Sequence, residues 1–157
     1  MIPTKKEFLF MSISYNLERF HRAQESSYPT ALAEIRAGRK SSHWMWYIFP
    51  QMKGLGYSSM AAYYGIDGLE EAKVYLNDPV LRSRLVEISS ALLKLPGSDA
   101  GAVMGYPDNL KLRSSMTLFY LAAAPEDKAV FKSVLDKYFQ GEMDQQTVKM
   151  VAGGIDP

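Results

Sequence analysis

Apolar residues recur at intervals of three and four along nearly the whole chain, and no stretch of any length alternates apolar with polar residues. That rhythm limits the fold to packed helices. The clearest case is PVLRSRLVEISSALLKLP, where Val80 or Leu81, Leu85, Ile88, Leu92 and Leu95 form one stripe between Pro79 and Pro96. DNLKLRSSMTLFYLAAAP repeats the grammar from an Asp108 cap to Pro125, and PEDKAVFKSVLDKYFQG runs from acids in its first turn to Gly141. LEEAKVYLND stops before Pro79, and DQQTVKMV precedes a Gly-Gly end expected to fray. Nearer the start, Ser14 is expected to cap a helix that sets Leu17, Phe20, His21 and Gln24 on one face, with Arg19 on the polar side. Pro29 is then expected to open a separate helix, PTALAEIRAG, that Gly38 ends.

No linker or internal repeat divides these segments. A chain of 157 residues, 47% apolar, is enough for one core that buries roughly two-thirds of the unfolded surface. The expectation is an all-α protein, an irregular single-domain bundle of about seven to nine helices. Residues 1–13 read as an N-terminal extension, 14–150 as the helical domain and 151–157 as a C-terminal tail. The extension imitates a secretory signal, but its apolar run, Phe8 to Ile13, is short and no small-residue cleavage site follows. With no apolar run of membrane-spanning length, a cytoplasmic location and no membrane partner are expected.

The charge balance removes one class of function. Eighteen basic and 17 acidic residues leave a net charge of +1, so no broad field recruits a nucleic acid polymer, and any anion site has to be local. Cysteine is absent, which excludes disulfides, thiolate metal sites and a cysteine nucleophile from this sequence. Only His21 and His43 are available as imidazoles, so no metal is expected. GLGYSS, Gly54 to Ser59, lacks the preceding strand that a dinucleotide fingerprint needs, and its glycines are expected to form a turn. Walker, HExxH, EF-hand and GxSxG patterns are missing, and no cofactor is implied.

Two stretches carry the remaining chemistry. In KSSHWMWYIFPQ, Ser42 is expected to cap a helix from His43 to Phe49 that Pro50 closes. Its middle is apolar on every side and reads as core, and a buried Trp44 or Trp46 needs a partner for its indole N–H. Its ends are polar: Lys40, Ser42 and His43 at the start and Gln51 after the end fit an anion site at a helix N-terminus, or simple capping with a satisfied histidine. On the later helix, Lys111, Ser114, Ser115 and Leu118 share a face. The two serines either help hold an anion or are small because another helix crosses closely. Gln24, an amide among apolar residues, is expected to brace a neighbouring backbone.

The blocks YNLERFHRAQ, SHWMWYIFPQMKGLG, LEEAKVYLNDPVLRSRL and DNLKLRSSMTLF, in this order, resemble the helical family called domain of unknown function eighteen-ten. The resemblance covers about Ser14 to Met150. It implies a compact all-helical fold and supplies no catalytic residues; the N-terminal extension and His21, where an apolar residue is expected, depart from the pattern. Two functions stay open. One is a cleft for a small anionic or nucleotide-derived ligand, bordered by Lys40, Ser42, His43, Trp44, Trp46, Gln51, Lys111, Ser114 and Ser115, with His43 the acid–base candidate if a reaction occurs there. The other is an interaction or structural module presenting Tyr57, Tyr63, Tyr64 and methionines, and a homo-oligomer fits either.

Overall fold

Thr4 starts the first helix, α1 (Lys5–Ser14), by accepting the backbone N–H of Glu7. The computed structural model describes residues 3–153, so the last four residues of the expected tail lie outside the described residues. Ser14 closes α1 and does not cap the next helix: the chain turns through Asn16 at φ 54, and α2 (Glu18–Arg36) begins without a side-chain cap. Pro29 corrects a second expectation, because it lies inside α2 and opens no new helix. Proline removes the N–H that the carbonyl of Glu25 would receive. Both residues are exposed, so water can take that place and the helix continues.

The aromatic block is helical for four residues only, α3 (Met45–Ile48), with Trp44 at the cap position. Ser42 caps nothing. A short α4 (Ser59–Tyr64) follows, capped by the Ser58 hydroxyl, and Ile66 then pairs with the earlier strand-like stretch. Its N–H donates to the Gln51 carbonyl at 2.9 Å and its carbonyl accepts the N–H of Lys53 at 2.9 Å. This isolated bridge fixes Gln51 beside the end of α4. The backbones are tight there, since a Cβ on Gly65 would stand 2.7 Å from the Cα of Lys53.

The remaining elements are α5 (Gly68–Asn77), α6 (Pro79–Leu93), α7 (Ala100–Met104), α8 (Asp108–Ala122), α9 (Pro125–Phe139) and α10 (Gln145–Gly153). Asp78 caps α6 through the N–H groups of Val80 and Leu81, and Pro79 occupies the first turn, as proline-bounded spacing predicts. Among the described residues the fold is all-helical, with ten helices; α4 and α7 are short pieces that spacing alone does not reveal, and α1 lies in the stretch expected to be an extension.

α8 is the central helix and packs against α5, α7, α9 and α10, while α2 lies on α3 and α6. Leu112, Met116, Leu118 and Phe119 are fully buried on it. A chain of rings ties four helices together: Phe20 meets Tyr75 edge-on at 5.1 Å, Tyr75 meets Phe119 at 5.1 Å, and Phe119 meets Phe131 at 6.2 Å. Burying each such side chain contributes roughly 1.5–3 kcal/mol. Gln24 does brace a backbone, donating to the Tyr47 carbonyl at 2.8 Å and to the Tyr75 hydroxyl at 3.0 Å. No helix among the described residues is long and apolar enough to cross a membrane.

Candidate functional site

Donors collect where α2 hands over to the aromatic block. The N–H groups of Ser41 and Ser42, the Ser42 hydroxyl and the Trp44 indole N–H all donate to the carboxylate of Glu34. Burial pushes the Glu34 carboxyl up, but these four hydrogen bonds outweigh it and hold the group at about 2. The donors that the sequence places around Ser42 are thus taken up by a carboxylate of the chain itself. Ser42 and Trp44 are scaffold, because their donors are committed to Glu34.

Lys40 is held from two sides. Its ammonium donates to the Ser42 carbonyl at 2.6 Å, stands 2.8 Å from a carboxylate oxygen of Asp108 and lies 4.9 Å from the Trp44 ring centroid. Asp108 is the first residue of α8 and makes no capping hydrogen bond, contrary to the sequence expectation. Its carboxylate instead sits between two ammonium groups, with Lys111 at 3.2 Å on the other side. A carboxylate at a helix N-terminus also interacts favourably with the helix dipole.

Lys111 leads on to a cleft. Its ammonium lies 5.1 Å from the centroid of the Trp46 ring. Lys111, Trp46, Gln51 and Tyr64, together with Met45, Phe49, Ala61 and Gly65, line a narrow hollow. Four elements meet here: α3, the Gln51 bridge, α4 and α8. The walls are close, for only about 10 Å³ of the hollow admits the centre of a water molecule. Of the side chains singled out by sequence, Trp46, Gln51 and Lys111 line this space.

The family model described as Protein of unknown function (DUF1810) matches residues 14–151. The chain belongs to this family. It is also similar to a solved structure, the conserved hypothetical protein Rv1873 from Mycobacterium tuberculosis, at 43% identity, covering 88% of this chain and 98% of that one with a TM-score of 0.85. No curated protein matches the sequence. Almost all of α1 precedes the part that matches the DUF1810 model.

Within this DUF1810 chain the other candidate residues fall outside the cleft. His43 is exposed and does not line it. Ser114 donates to the Leu110 carbonyl at 3.2 Å, one turn back along α8. Ser115 is fully buried and its hydroxyl has no partner among the described residues. Tyr57, Met60 and Tyr63 are exposed, Tyr57 at 99%, whereas Tyr64 is half-buried in the cleft wall. No group of three or more His, Cys, Asp or Glu side chains suited to a metal occurs among the described residues.

The largest departure from the sequence reading is Arg19, expected on the polar side of its helix and found only 7% exposed. All five of its N–H donors are used: on the carbonyls of Tyr15 and Asn16 at the end of α1, on those of Tyr63 and Gly65 at the end of α4, and on Glu71 at 2.8 Å. Cations favour helix C-termini, and here one guanidinium serves two of them. His21 pairs at 2.7 Å with Asp78, the cap of α6.

Proposed function

We propose that this protein binds a small anionic ligand in the cleft between α3, α4 and α8. One observation carries the reading: Trp46, Gln51 and Lys111, distant in sequence and different in chemistry, line one solvent-reachable hollow. Lys111 supplies the positive charge, the Gln51 amide supplies a donor and an acceptor, and Trp46 and Tyr64 supply aromatic surface. Lys40 and Asp108 stand behind Lys111 and set its position. The proposal assigns no reaction. His43, the acid–base candidate of the sequence, lies outside the lining.

Thermal unfolding in the presence of carboxylates, phosphate and nucleoside monophosphates tests the reading. A ligand at one hundred times its Kd stabilises the folded state by about 2.7 kcal/mol. The shift is expected in the native chain and absent in Lys111→Met; a panel that leaves both proteins unmoved refutes it. The competing reading, a partner surface, draws on the exposed Tyr57, Met60 and Tyr63. It predicts that substituting those three alters association and leaves the thermal shift intact.

A further inference from the structure

We propose that the outer face of α1 docks a second copy of this chain, the two first helices packing antiparallel about a two-fold axis. The helix is apolar on both sides. Phe8, Met11 and Tyr15 pack inward against the core, where α1 lies on α5. On the opposite side Leu9, Phe10 and Ile13 stand 60%, 71% and 71% exposed. Leu9 and Phe10 each lie one turn from Ile13, so the three make one continuous apolar strip. A helix that is apolar all round is normally enclosed by other elements, yet among the described residues only one side of α1 is covered. With a net charge of +1, two copies have little overall repulsion to overcome.

Charge selects both the occupant and its direction. The start of α1 carries Lys5 and Lys6, both exposed. Its other end is acidic: Ser14 and Tyr15 border a hollow shared with Asp67 and Glu71, and the Tyr15 hydroxyl, pushed up first by burial, is pushed further by Glu70, Glu71 and Asp67. Arg19 answers Glu71 and Lys53 offsets one more acid, which leaves this end negative. Setting Leu9 against Phe10 of the second copy brings Lys6 opposite Ile13 and Lys5 opposite Ser14, beside the exposed Asp67 and Glu70. The two-fold makes each contact twice. A parallel pairing would press lysines against lysines. An anionic lipid surface would meet the lysines but be repelled by Asp67 and Glu70 at the other end, so a second copy fits better. The patch is smaller than a standard interface, and a dimer in the micromolar range follows.

Sedimentation velocity of the whole chain across the micromolar range tests the inference. The native chain is expected to show a reversible monomer–dimer equilibrium. Phe10→Asp, at an exposed position, is expected to weaken it by on the order of hundredfold while the circular dichroism spectrum stays native. Lys5→Glu with Lys6→Glu in one protein, and Asp67→Lys with Glu70→Lys in another, are each expected to be monomeric, since like charges then face each other across the two-fold. Mixed together, the two are expected to associate, because every reversal meets its opposite. Should the Asp67→Lys, Glu70→Lys protein not fold, Phe10→Asp and the lysine reversal still decide the point against the native chain. A native chain that stays monomeric, or a dimer indifferent to Phe10→Asp or to the lysine reversal, would overturn the inference. Reversed proteins that fail to associate on mixing would overturn the antiparallel pairing. A native chain that stays monomeric and floats with vesicles of phosphatidylserine and phosphatidylcholine in equal parts would overturn it in favour of a lipid surface.

Discussion

Replacing Glu34 with alanine removes one carboxylate and strands four donors at once. The Ser41 N–H and the Ser42 groups lie close enough to solvent for water to take over, at a cost of roughly 1 kcal/mol for the lost charge-assisted bonds. Trp44 is different, because the residue is only 1% exposed. Its indole N–H loses the 2.9 Å bond to Glu34 with little water to replace it, which costs about 1–3 kcal/mol. The sum is about 2–4 kcal/mol. For a chain of this length that corresponds to a fall in Tm of roughly 5–12 °C. Circular dichroism melts give the number, and a double-mutant cycle with Trp44→Phe isolates the indole's share, expected near 1 kcal/mol. A fall in Tm below about 2 °C, or strict additivity in the cycle, would refute the claim that this carboxylate organises the stretch.

Glu34 also gives a pH dependence. Its folded value of about 2 lies below the ordinary 4.5, so its contribution is complete above pH 4.5 and is lost as pH falls through about 2. Allowing for solvent at its edge, that contribution is on the order of 1–2 kcal/mol, and the stability gap between native protein and Glu34→Gln should close over this window in urea titrations. Arg19→Met leaves Glu71, 2% exposed, as an uncompensated buried charge, and a loss of about 3–5 kcal/mol in denaturant unfolding is expected. Gly65→Ala should cost roughly 1–3 kcal/mol through its clash with the Lys53 and Ala61 backbones. Gly68→Ala meets no atom but holds φ +87, so strain alone should cost about 1 kcal/mol. Ser115→Ala removes a buried hydroxyl without a partner and is expected to raise stability by up to about 1 kcal/mol.

The long helices were legible because their signals are local. Apolar stripes and bounding prolines define α6 and α9, and Pro79 marks where α5 must stop. Pro29 misled because proline's cost depends on whether the orphaned carbonyl meets water, which spacing does not report. Ser14, Ser42 and Asp108 all have the chemistry of caps, yet the two latter side chains are claimed by Glu34 and by two lysines from elsewhere in the chain. Arg19 was misplaced for the same reason. Its partners Tyr63, Gly65 and Glu71 lie 44 to 52 residues away, and a helical wheel carries no information about them. Within the cleft, the residue types were readable and their convergence was not: nothing in the sequence places Gln51 against α4 except the backbone bridge to Ile66.

The five-fold grip of Arg19 makes two remote parts of the molecule mechanically dependent. It fastens the end of α1 to Tyr63 and Gly65, and Gly65 belongs to the cleft wall. Trimming the chain to the part shared with its relatives would leave the Tyr15 and Asn16 carbonyls hanging from a loose terminus, and the slack would be felt at Gly65. The leading helix is thus tied, through one guanidinium, to the backbone that walls the hollow.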